Sequence, residues 1–88
     1  MSLLTLADLR PLERARILEV GAQGQINSAE AEDLVRALLE MGVVEGSEVQ
    51  ILHVAPWSQD PIAVQVRGAL IALRRQEAAW VRVERVQS

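Results

Sequence analysis

The chain has no cysteine, no phenylalanine, no tyrosine, no lysine and a single histidine among its 88 residues. Without cysteine there is neither a disulfide framework nor a thiolate metal site. One histidine and no cysteine leave little for nucleophilic or acid–base catalysis. None of Ser2, Ser28, Ser47, Ser58 or Ser88 sits in a nucleophile-elbow motif. No apolar run approaches the roughly 18 residues of a membrane span, and no phosphate-binding glycine loop is present. Met1–Arg16 carries mixed charge with no long apolar stretch, which predicts no signal peptide and a cytoplasmic location.

What is present is branched and aliphatic. Half the residues are hydrophobic, too many for a disordered chain. Almost all of them are Val, Leu, Ile and Ala, a set that suits strands. The length allows one core and one domain, taken as residues 1–88.

Net charge is −3, an argument against nucleic-acid binding, which needs a basic patch. Its distribution is uneven. Residues 1–27 balance three Arg against three acids; residues 28–60 set Arg36 against seven acids; residues 61–88 set five Arg against two acids. An acidic middle therefore precedes a basic, strand-rich end. Every basic residue is Arg, which reflects either base composition or the use of planar forks for carboxylate or phosphate partners.

Periodicity places the elements. Arg14–Val20 reads as a first strand, in which Ala15 and Ile17 share one parity and Leu18 and Val20 the other. That slip predicts a bulge or a strand covered in part on both faces. Asn27 and Glu30 have capping-box spacing, opening a helix over about 28–41. Ala31, Leu34, Val35, Leu38, Leu39 and Met41 form its core stripe, and Gly42 is its stop. Glu48–Val54 is a second strand, its latter half expected to be covered on both sides because Leu52 and Val54 oppose Val49 and Ile51. Pro56 and Pro61 bracket a loop. Ile62, Val64 and Val66 alternate cleanly; Gly68 allows a turn; Ala69–Arg74 returns with Ile71 and Leu73 on one face. Gln76–Ala79 is a short connector, and Trp80–Val86 closes the sheet. The expected fold is mainly β: a small SH3-like barrel of about five strands with one α-helix after the first strand.

The order Leu39-Glu40-Met41-Gly42, Glu45-Gly46, Val54-Ala55-Pro56, Asp60-Pro61-Ile62, Val66-Arg67-Gly68 and Ala72-Leu73-Arg74-Arg75 resembles the ferrous iron transport protein A (FeoA) family. The match is densest over Leu38–Arg75. It departs at Pro11-Leu12 and Glu45-Gly46, where the family often has Pro-Gly, and in a longer approach to the helix. The resemblance implies the same barrel. It also implies a non-enzymatic cytoplasmic accessory of ferrous iron uptake that docks on the GTPase region of a FeoB-type membrane transporter and modulates it. A different reading is a stand-alone SH3-like interaction module related to the C-terminal domain of iron-dependent repressors. No helix-turn-helix accompanies it here.

Partner binding is assigned to Pro56, Trp57, Arg67, Arg74 and Arg75. Trp57 is either an exposed anchor on a rigid loop, a ring folded back over Pro56 or Pro61, or a contact for self-association. Arg67, Arg74, Arg75, Arg82 and Arg85 form either a solvated sheet face or a docking face for an acidic surface. Family descriptions include transition-metal binding, but His53, Asp60, Glu30 and Asp33 show no visible convergence. No metal ligand, cofactor or catalytic residue is assigned.

Overall fold

The computed structural model describes residues 4–21, 29–54 and 60–86. Runs of branched residues with period two become five strands: β1 (Arg14–Val20), β2 (Glu48–Val54), β3 (Ile62–Val66), β4 (Ala69–Leu73) and β5 (Val81–Arg85). Helix α1 (Ala29–Glu40) follows β1, and the short α2 (Arg75–Ala78) joins β4 to β5. A single 3₁₀ turn, Leu6–Asp8, precedes β1. All pairings are antiparallel, in the order β4-β3-β2-β1-β5. The expected mainly-β architecture with a helix after the first strand is therefore present.

Two bulges bend this sheet. The β1–β5 register shifts between Ile17 and Glu19, as the parity slip in β1 predicts. A second shift lies between Ile51 and His53 in the β2–β3 ladder. An extra residue on one strand increases its twist and curls the sheet, so one face can close on itself. That face holds Ile17, Val49, Ile51, Val64, Val66 and Val83, each at most 3% exposed. Leu6 and Leu9 plug it from the N-terminal segment, and Leu38 and Val43 from the helix end.

The second bulge corrects the reading of β2. Leu52 and His53 are exposed rather than covered on both sides, because the bulge, and not a second packing layer, accounts for the change of parity. The stripe of α1 is corrected too. Leu38 is fully buried and Leu34 packs on the core in part, but Leu39 is 45% and Met41 39% exposed. The sheet fills its own concave face, leaving the helix only a narrow seam along i, i+4 positions. The Asn27 cap lies outside the described residues.

The stop at Gly42 is as expected. Gly42 has φ +95°; its N–H donates to the Leu39 carbonyl and the Val43 N–H to the Leu38 carbonyl, both at 3.0 Å. This pair of bonds is a Schellman motif, completed by contact between apolar residues on either side of the turn. Here Leu38 and Val43 are both fully buried.

The sheet edges are treated differently. On the β5 side Thr5 bridges Arg82, and the Val83 N–H donates to the Leu4 carbonyl at 2.9 Å. On the far side β4 has β3 on one flank and no described strand on the other.

Candidate partner-binding site

The β3–β4 hairpin builds one end of the site. Val66 pairs with Ala69, so the chain reverses within two residues. Arg67 (φ +52°) and Gly68 (φ +84°) are both left-handed, the pattern of a type I′ turn, whose twist matches that of the flanking strands. Arg67 is exposed as expected, but as a turn residue and not as part of a strand face. Its stem runs beside the end of α1: a Cβ placed on Gly42 would lie 3.8 Å from Arg67 Cδ.

Below that turn the ladder lays Arg14, Gln50 and Gln65 side by side across β1, β2 and β3. With Arg67, Gly68, Glu48 and Val49 they line a cleft of ≈ 310 Å³. The Gln50 amide nitrogen donates to the Leu12 carbonyl at 3.3 Å. Neither Arg14 nor Arg67 makes an ion pair among the described residues. Sequence reading missed Arg14 in this role, because only the strand register brings it beside Gln50.

Arg74 and Arg75 mark the other end of β4. Arg74 is exposed, and its N–H donates to Glu77 Oε1 at 2.8 Å, starting α2. With Asp60 and Pro61 it lines a smaller hollow of ≈ 190 Å³. Arg75 is half-buried and heavily engaged. Its N–H donates to Asp60 Oδ1 at 2.7 Å, and its Nη1 donates to the Ala7 carbonyl. It ties the Asp60 segment, α2 and the 3₁₀ turn together. Pro56 and Trp57 lie outside the described residues.

The remaining arginines of the basic C-terminal segment are neutralised. Arg85 Nε donates to Glu13 Oε2 at 2.7 Å, and Arg82 Nε to Glu19 Oε1 at 3.3 Å. Arg16 faces Glu84 at 3.4 Å. The first of these pairs is the tightest, and Glu13 Oε1 also accepts the Arg10 N–H at 2.6 Å. The Arg85 hydrogen bond, then that from Arg10, hold the Glu13 carboxyl below its ordinary value. His53 is exposed on β2. Among the described residues no three His, Asp or Glu side chains converge as a cation site would require.

Comparison with known proteins places this geometry in a family. The model of the FeoA domain matches residues 4–85. A curated Fe(2+) transport protein A/Fe(2+) transporter FeoB fusion protein from Porphyromonas gingivalis is 33% identical over 72 residues, covering 81% of this chain. The chain spans only 8% of that relative's length. The solved FeoA-like protein of Clostridium acetobutylicum superposes with a TM-score of 0.78 at 26% identity, covering 100% of this chain and 93% of its own. The FeoA of Stenotrophomonas maltophilia, an SH3 domain protein solved in complex with zinc, gives 0.75 at 33% identity over 92% and 89%. A manganese-dependent transcriptional repressor gives 0.76 at 16% identity, covering 98% of this chain and 38% of its own, a likeness of fold alone. The fold is thus the SH3-like barrel, and the chain belongs to the FeoA domain family.

Proposed function

We propose that this chain, as a single domain over residues 1–88, is a non-enzymatic cytoplasmic accessory of ferrous iron uptake that docks on the GTPase region of a FeoB-type membrane transporter and modulates it. The observation that carries this reading is the Porphyromonas gingivalis relative, in which an Fe(2+) transport protein A and a FeoB transporter form one polypeptide. Fusion holds two modules at high effective concentration, which is useful when they act on one another. No helix among the described residues is long and apolar enough to cross a membrane, consistent with a module that reaches the bilayer through a partner.

The docking surface in this reading comprises Arg67 and Arg74, at the two ends of β4, together with Pro56 and Trp57. Arg75, held on Asp60 and Ala7, contributes by fixing the path of Arg74. Arginines at a rim mainly raise the rate and orient the encounter. Trp57 would supply the apolar anchor. Self-association through Trp57 would compete with this docking.

The test is binding of the purified chain to the transporter's cytoplasmic GTPase region. Arg74→Glu should slow association and make it less sensitive to salt, and Trp57→Ala should speed dissociation; each is expected to weaken affinity about tenfold or more. Wild-type affinity in both variants refutes the surface. No binding by the wild type refutes the partner.

A further inference from the structure

We propose that the open edge of β4 accepts an extended, acid-flanked segment of a partner protein as an added strand. This specifies how a partner lies on the docking surface described above, and for its biological partner it rests on that docking reading.

The ladder geometry decides which groups are available. A two-residue turn between Val66 and Ala69 requires those two to be a hydrogen-bonded pair, since the alternative would bond Arg67 to its neighbour Gly68. Alternation along an antiparallel ladder then makes Val64–Ile71 and Ile62–Leu73 bonded pairs as well. The N–H and C=O groups of Leu70 and Ala72 therefore point away from β3. Among the described residues nothing pairs with them. Natural sheets blunt such edges with cover or with charge. The β5 edge follows that rule, being covered by Leu4 and Thr5. Among the described residues the β4 edge does not: its side chains read Ala-Leu-Ile-Ala-Leu, and Leu70 is 68% exposed.

Charge identifies the occupant. Arg67 and Arg74 stand just beyond the two ends of β4, and neither has an ion-pair partner among the described residues. A strand rises about 3.3 Å per residue, so the five residues of β4 suit a segment of similar length with a carboxylate just outside each end. Its apolar residues would lie beside Leu70 on the outer face and Ile71, half-buried, on the inner one. Backbone pairing would supply affinity and the flanking acids direction, as in other edge-strand recognition. A second copy of this chain fits poorly, because antiparallel pairing of two β4 edges sets the arginines of one copy near those of the other.

The experiment uses the whole ¹⁵N-labelled chain and no transporter, so its failure is separable from failure of the docking reading. The probe is the peptide Glu-Val-Thr-Val-Thr-Val-Glu, compared with the same peptide carrying Lys in place of both Glu. Amide exchange at Leu70 and Ala72 should be fast in the free chain and slowed by the Glu peptide, with resonance shifts centred on residues 67–74. The Lys peptide should bind about tenfold or more weakly. N-methylation of the peptide amides that face β4 should abolish binding. Ala72→Pro should do the same while keeping a folded spectrum, because the N–H it removes points outward, where an edge strand tolerates proline. The proposal is overturned if the Glu peptide does not bind, if the Lys or N-methylated peptide binds equally, or if Leu70 and Ala72 are already protected in the free chain. Protection that grows with protein concentration alone would assign the edge to a second copy and overturn it as well.

Discussion

Replacing Arg67 with Asn should stabilise the fold while weakening partner binding. The first position of a type I′ turn needs a positive φ, and Arg67 adopts +52° there. A side chain with a full Cβ loses about 1–2 kcal/mol in that region, less for Asn, whose short polar group bonds to nearby backbone. Against this gain stands the loss of the Arg67 stem beside Gly42, an exposed contact of a kind that changes stability by about 0.5 kcal/mol or less. The net expectation is a gain of about 0.5–1 kcal/mol, in line with the strong preference for Asn-Gly in such turns. For a chain of this size unfolding in urea has a slope of about 1 kcal/mol per molar, so the midpoint should rise by about 0.5–1 M. Thermal unfolding should move up by roughly 4–8 °C for each kcal/mol gained.

Arg67→Asp separates the two roles. It suits the same turn but reverses the charge, so it should match Asn in stability to within a few tenths of a kcal/mol while binding an acidic partner more weakly than Asn does. A midpoint for Arg67→Asn at or below that of the parent would refute the argument, because the turn would then not carry the strain ascribed to it. A residue kept at a cost in stability is where a functional contact is to be sought, and Arg67 is such a residue next to an edge that no described strand pairs.

Two further outcomes follow from the helix end and from the β1–β5 seam. Gly42→Ala should cost about 1–2 kcal/mol in urea unfolding, from φ +95° alone, since the new Cβ would meet Arg67 Cδ at 3.8 Å, an ordinary contact. Gly42→Asn should lose less, and equal losses would mean that crowding rather than backbone angle sets the cost. For Glu13 the folded-state pKa lies below the ordinary carboxylate value. Its contribution is therefore complete above that ordinary value and is lost as pH falls through the lower, folded one. Glu13→Gln should flatten the acid limb of a stability-versus-pH curve, and an unchanged limb would show that the Arg85 pair does not hold the carboxylate.

The backbone plan could be read from the chain because its signals are local. β1 and β2 begin and end where alternation places them, β3 and β4 fall within a residue, and Gly42 ends α1. What escaped reading depends on register. A change of parity in a strand has two causes, a bulge or cover on both faces; in β1 it was a bulge, and in β2 the same cause left Leu52 and His53 exposed. Helical spacing put Leu39 and Met41 on the buried stripe, yet the width of a buried stripe is set by the partner surface, and this curled sheet offers little. Arg82 and Arg85 looked like members of a basic face because their carboxylate partners, Glu19 and Glu13, lie more than sixty residues away in sequence.

That pairing changes where function can reside. The charge asymmetry along the chain suggested a broad basic surface at its C-terminal end. Folding places the acids of β1 and its approach against the arginines of β5, so that end of the sheet is largely neutral and, with Leu4 and Thr5 across its edge, closed. The positive charge left without a partner among the described residues includes Arg67 and Arg74, at the two ends of β4, and Arg14 in the adjoining cleft. Apolar exposure at Leu70 and outward-facing backbone groups coincide with them. Hydrophobic surface, hydrogen-bonding capacity and charge are thus separately available at one strand, the combination that a protein partner in extended conformation would use.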